Sequence, residues 1–142
     1  MGEPARALGV DLGEKRIGLA RSDPSGVLAS PAGTLHRSGD LSADRVAIVA
    51  AAREAEAQVI VVGLPRSLSG REGPAARAAR AEAEALAEVA GEIRVELHDE
   101  RFTTRDAQRA LTAGGRRGRA PRERIDAAAA AVMLQSYLDG RR

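Results

Sequence analysis

Ala5-Arg6-Ala7-Leu8-Gly9-Val10 runs straight into Asp11-Leu12-Gly13, and Arg16-Ile17-Gly18-Leu19-Ala20-Arg21 follows after Glu14 and Lys15. The first run is mostly apolar and ends on turn formers, the pattern of a buried strand closed by a turn. The second is a short strand pattern, so the two are expected to pair as a hairpin. A third strand is expected over Gly26–His36, where Pro31 makes it irregular or an edge. The pattern then changes. Asp40–Ala57 reads as a helix, with Leu41, Val46, Ile48, Val49 and Ala52 on its buried face and Asp40 or Ser42 as its cap. Gln58–Gly63 is almost continuously β-branched, as in a strand covered on both faces. Pro65–Pro74 reads as a loop, Ala75–Ala90 as a helix stopped by Gly91, and Ile93–His98 as a further strand. Thr103 or Thr104 is expected to cap a helix through Ala113. Gly114–Arg119 follows as a basic, glycine-rich loop, and a last helix covers Pro121–Leu138 with proline in its first turn. The order β-β-β-α-β-α-β-α-α implies an α/β fold: a mixed sheet opening with a three-strand meander, with helices on its faces. No interdomain linker interrupts it, so one domain spanning residues 1–142 is expected.

Composition narrows the function. Cysteine is absent, which excludes disulfides and thiolate metal sites. No opening run combines basic residues with a long apolar stretch, and no apolar stretch is long enough for a bilayer, so a cytoplasmic protein with no membrane partner is expected. The net charge is only +2, and Lys15 is the sole lysine among the 22 basic residues. Arginine binds phosphate bidentately, which lysine cannot do. Phe102 and Tyr137 are the only aromatic side chains apart from the two histidines. A protein that reads single-stranded bases by stacking needs an aromatic platform. If this chain binds nucleic acid, it must do so through backbone phosphates and shape.

Three carboxylate positions stand out. Asp11 follows an apolar strand, at the end where crossover sheets gather their ligands; the alternative is a tight turn in which Asp and Gly are good turn formers. Asp99-Glu100 ends another core strand, and two adjacent acids repel unless a cation or Arg101 compensates them; the alternative is a solvated loop. Asp126 shares a helix face with Ala129, Ala130, Met133 and Tyr137, and a carboxylate on such a face is expensive unless paired or metal-bound. Its alternative is an acid favoured by the helix dipole. Hard divalent cations take oxygen ligands, and paired ions can promote phosphodiester cleavage with carboxylates alone. Positive charge near these acids comes from Lys15 and Arg16 after the first turn and from Arg66 and Arg71 in the Pro65–Pro74 loop. Arg116, Arg117 and Arg119 add more just before the last helix. His98 reads as structural or as a neighbour of the site.

Four stretches carry a resemblance: Gly9–Ala20 (G-V-D-L-G-E-K-R-I-G-L-A), Val59–Pro65 (V-I-V-V-G-L-P), Leu97–Thr104 (L-H-D-E-R-F-T-T) and Arg124–Ala131 (R-I-D-A-A-A-A-A). In this order they resemble the YqgF family, described as Holliday junction resolvase-like proteins or pre-16S ribosomal RNA nucleases. The resemblance implies a ribonuclease H-like fold and a divalent-metal nuclease using Mg²⁺ or Mn²⁺. It places the catalytic, metal-holding acids at Asp11, Glu100 and Asp126, with Asp99 as a neighbour. It implies structured nucleic acid as substrate: the 5′ end of precursor 16S rRNA first, branched DNA second. A non-catalytic ribosome-assembly or nucleic-acid-binding factor and a homodimeric assembly both stay open at this point. Two other enzyme classes fit poorly. The chain is far too short for a two-domain actin-like kinase, and it has no Walker phosphate loop.

Overall fold

The computed structural model describes residues 5–66, 69–100 and 122–141. Strands β1 (Ala7–Leu12), β2 (Arg16–Ser22) and β3 (Ala29–His36) form the leading meander. Helix α1 (Leu41–Glu54), strand β4 (Val59–Leu64), helix α2 (Pro74–Val89) and strand β5 (Arg94–Asp99) follow, and helix α3 (Arg122–Gly140) closes the chain. The sheet order is β3-β2-β1-β4-β5. The first three strands pair antiparallel, and β1, β4 and β5 run parallel. The mixed sheet is thus the expected one, with β3 as the edge. The helix expected over Thr103–Ala113 and the loop Gly114–Arg119 lie outside the described residues.

Strand alternation divides the core in two. Leu8, Val10, Ile17, Leu19, Ile60, Val62 and Leu64 point to the face covered by α1 and α2. Ala7, Ala20, Val59 and Val61 point to the other face, under Ala130, Met133, Leu134, Tyr137 and Leu138 of α3. All six residues of β4 are buried, as a β-branched central strand requires. Asp40 caps α1 as expected, its Oδ1 accepting from the backbone N–H of Ser42 (2.9 Å) and Ala43 (3.3 Å). Two residues assigned to the buried face of α1 are corrected: Leu41 and Val46 are 52% and 65% exposed, and Ile48, Val49 and Ala52 carry the packing.

Close approach of α3 depends on two glycines. A Cβ on Gly9 would lie 2.9 Å from Cβ of Leu134, and one on Gly18 would collide with the carbonyl oxygen of Asp126. Polar pins fix the helix along its length. The Gln135 side chain accepts from Ala29 N–H (2.9 Å) and donates to the Val27 carbonyl (2.8 Å). His98 Nε2 and Ser136 Oγ are hydrogen-bonded at 2.9 Å, and Tyr137 donates to Glu96 Oε1 at 2.9 Å. Among the described residues, no helix is long and apolar enough to cross a membrane.

Candidate active site

Asp11 lies inside β1 rather than after it, so its side-chain direction is set by the pleat. It shares the α3 face with Ala7 and Gly9. Its neighbour across the antiparallel pair is Gly18. The parallel register pairs Val10 with Val62, so one step further Asp11 stands beside Gly63. The carboxylate is therefore flanked on the sheet by two residues with no side chain. Asp126 sits over Gly18, with its backbone oxygen where a Cβ would be. Glu100 sits over Gly63, where an added Cβ would lie 2.6 Å from its Oε2. The two glycine gaps bring the acids of β5's end and of α3 down beside Asp11.

Electrostatics shows the three acids sharing one neighbourhood. Burial, and then the Asp126 charge, raises the pKa of Asp11. Burial, and then the charges of Asp11 and Asp99, pushes Glu100 up to about 7. Among the described residues, Asp126 alone of the three has a cation: Arg16 Nε donates to its Oδ2 at 2.6 Å. Among the described residues, no three acids or histidines are gathered closely enough to hold a metal ion together. The chemistry of the donors nevertheless fits a hard cation. Asp11 and Glu100 are half-buried oxygen donors whose charges repel, and no cation neutralises either among the described residues.

Asp99 points the other way. It pairs with Leu64 in the β4–β5 register, and it accepts from Arg66 Nη1 at 3.3 Å. Arg66 also donates to Glu72 Oε2 (2.8 Å), and Arg80 of α2 completes the bracing through Nε to Glu72 Oε1 (2.7 Å). These two guanidinium groups hold the Glu72 carboxyl down at about 2. Lys15 is exposed on the β1–β2 turn, which is closed by Gly13 N–H donating to the Arg16 carbonyl at 3.0 Å. Arg71 is exposed. His98 is structural in its contacts: it bonds Ser136 and meets the Tyr137 ring edge-on, and burial lowers its pKa. Arg116, Arg117 and Arg119 lie outside the described residues. A cleft of about 630 Å³ opens beside the site, with Leu12, Arg37, Gly63, Pro65, Pro74 and Glu100 among its lining.

The profile of the RuvX family, described as Holliday junction resolvase, matches residues 5–140. The chain belongs to this family. A relative from Thermobifida fusca named "Putative pre-16S rRNA nuclease" is 52% identical over 143 residues, covering 95% of this chain and 87% of the relative. One of the same name from Nocardia farcinica is 47% identical over 141 residues, covering 96% and 78%. Among solved structures, Thermus thermophilus RuvC in complex with a Holliday junction substrate superposes with a TM-score of 0.59 at 15% identity, covering 96% of each chain. The yeast mitochondrial Holliday junction resolvase Ydc2 gives 0.58 at 12% identity, covering 97% of this chain and 79% of its own. At such identities the likeness speaks to the fold, which is ribonuclease H-like as the sequence resemblance implies.

Gly18 and Gly63 are the residues that sequence reasoning missed. The signal was there: each interrupts a run of larger apolar residues in a strand, the mark of close approach by another group. The partner of each became visible only with the sheet register.

Proposed function

We propose that this chain is a divalent-metal-dependent nuclease of structured nucleic acid, acting on precursor 16S rRNA. The observation that carries the reading is the placement of Asp11 between two glycines occupied by Asp126 and Glu100, with two of the three carboxylates desolvated and, among the described residues, without a cation. Such a group of oxygens favours a doubly charged ion, because the burial of Asp11 and Glu100 is not compensated by a cation among the described residues. Asp11, Glu100 and Asp126 would hold Mg²⁺ or Mn²⁺, and the bound ion supplies Lewis-acid stabilisation of charge at a scissile phosphodiester. The chain's own residues do the rest. Glu100, with its pKa near neutrality, releases its proton readily when a cation arrives. Lys15 and Arg71, both exposed, would meet backbone phosphate. Arg66 is committed to Asp99 and Glu72, so we assign it to bracing the rim and Asp99 to the brace rather than to the cation. RNA is preferred to branched DNA because relatives 52% and 47% identical carry the rRNA name, whereas the junction-bound neighbour shares the fold at 15% identity.

Purified protein incubated with labelled precursor 16S rRNA and, separately, with a four-way DNA junction tests this. RNA cleavage with Mg²⁺ or Mn²⁺, stopped by EDTA and absent in a folded Asp11→Asn variant, is the expected result. Cleavage of the junction alone would transfer the activity to branched DNA. Turnover of neither substrate would make the protein a non-catalytic binding factor.

A further inference from the structure

Within the acidic site, the cation that neutralises Asp126 is one of the protein's own side chains. Arg16 opens β2, and its backbone is fixed by the closed β1–β2 turn, its carbonyl accepting from Gly13 N–H at 3.0 Å. Its side chain shares a strand face with Gly18, two residues on. Both therefore meet the same residue of α3: Gly18 receives the Asp126 backbone, and Arg16 Nε donates to the Asp126 carboxylate at 2.6 Å. The Arg16 and Asp126 side chains are 19% and 30% exposed, so this charge-assisted bond is partly shielded from water. Asp11, which feels the charge of Asp126, and Glu100, which feels that of Asp11, have no such cation among the described residues.

A guanidinium N–H at 2.6 Å engages Oδ2 of the carboxylate that the metal-site reading assigns to the cation. We propose that Arg16 is an internal counter-cation: it holds Asp126 while the site is free of metal, is displaced when a divalent cation binds, and turns its released guanidinium to a substrate phosphate. This rests on the metal-site reading above. Its consequence is linkage. Metal must compete with Arg16, and Arg16 gains phosphate only when metal has entered, so metal and substrate each strengthen the binding of the other. Arginine suits the exchange because its planar fork matches carboxylate and phosphate alike. The strand start gives it a fixed pivot while the long side chain swings.

The test needs no substrate and no turnover. Mg²⁺ alone is titrated calorimetrically into chelator-stripped wild-type protein and into Arg16→Gln. The variant, freed of the competitor, is expected to bind Mg²⁺ about tenfold more tightly, the low end for loss of a competing charge-assisted bond at a partly exposed site. Equal or weaker binding by folded Arg16→Gln overturns the proposal, because an arginine that merely supports the site would give that result. Should the variant fail to fold, the Arg16 Nε–H resonance of ¹⁵N-labelled wild type decides. It is expected to shift on adding Mg²⁺, and a signal unmoved at saturating Mg²⁺ overturns the exchange. If neither protein binds Mg²⁺, the metal-site reading falls and the inference falls with it.

Discussion

At the scale of single residues, the site depends on what is missing beside Asp11. The two glycines differ in what a methyl group would strike, and that difference separates function from stability. At Gly63 it would meet the end of the Glu100 side chain, 2.6 Å away, which can swing aside. Gly63→Ala is expected to melt close to wild type yet lose cleavage by about a hundredfold, as a small displacement of a reacting group does; parallel thermal and kinetic measurements check it. At Gly18 the methyl would strike α3 backbone, which cannot move alone. Gly18→Ala is expected to destabilise the protein by about 2 kcal/mol or more, the scale of an overpacked core, read by urea unfolding. Glu100 adds a pH signature. Its pKa is about 7 in the folded protein against an ordinary 4.5, so the folded state holds that proton more tightly than the unfolded chain. The stability it contributes is complete below pH 4.5 and is lost as pH rises through 7. Metal-free Glu100→Gln is therefore expected to match wild type near pH 4.5 and exceed it at pH 8. After discounting for partial exposure the gain is about 1 kcal/mol; a smaller stability difference at pH 8 than at pH 4.5 would contradict it.

At the scale of elements, the alternation of apolar and small residues was enough to read the leading meander, the buried β4 and the three described helices. The placement of Asp126 on an apolar helix face was legible for the same reason: Ala130, Met133 and Tyr137 on that face are buried. What periodicity could not supply was partnership. From sequence, the Pro65–Pro74 segment before α2 reads as a loop that offers Arg66 and Arg71 to phosphate. Glu72 instead ties Arg66 of that segment to Arg80 of α2, and Arg66 reaches on to Asp99 of β5. The Arg66–Asp99 pairing, across 33 residues, leaves no mark in local sequence. The exposure of Val46 was hidden likewise, since a three-four spacing marks a face without showing how wide a stripe the sheet covers. Glu72, held at about 2, contributes stability above its ordinary pKa of 4.5 that is lost as pH falls toward 2. Glu72→Gln is therefore expected to lower the melting temperature at pH 7, with the deficit shrinking as pH falls below 4. It should also speed proteolysis near Gly70. An unchanged melting point at pH 7 would mean that the brace is dispensable.

At the scale of the whole molecule, the scarcity of aromatic side chains leaves phosphate as the handle by which a nucleic acid is held. In the proposed grip, Lys15, Arg16 and Arg71 would form one wall. The other wall is expected from Arg116, Arg117 and Arg119, which precede the helix bearing Asp126. Changing these three to alanine is expected to weaken RNA binding and flatten its dependence on salt by roughly two units of log–log slope, about 0.7 for each phosphate contact on a single strand. Cleavage at saturating substrate should change far less; an unchanged slope would move the grip to the β1–β2 turn and the rim. All of this presumes that the three carboxylates collect a cation, and that premise is open to direct observation. Crystals of the protein soaked in Mn²⁺ and measured at the manganese absorption edge would locate the ion by its anomalous signal. The account predicts a peak held by the carboxylates of Asp11 and Glu100, with Asp126 turned away from Arg16 toward it. A map with no peak there, in crystals where Arg16 still holds Asp126 and Mn²⁺ binds elsewhere, would contradict it.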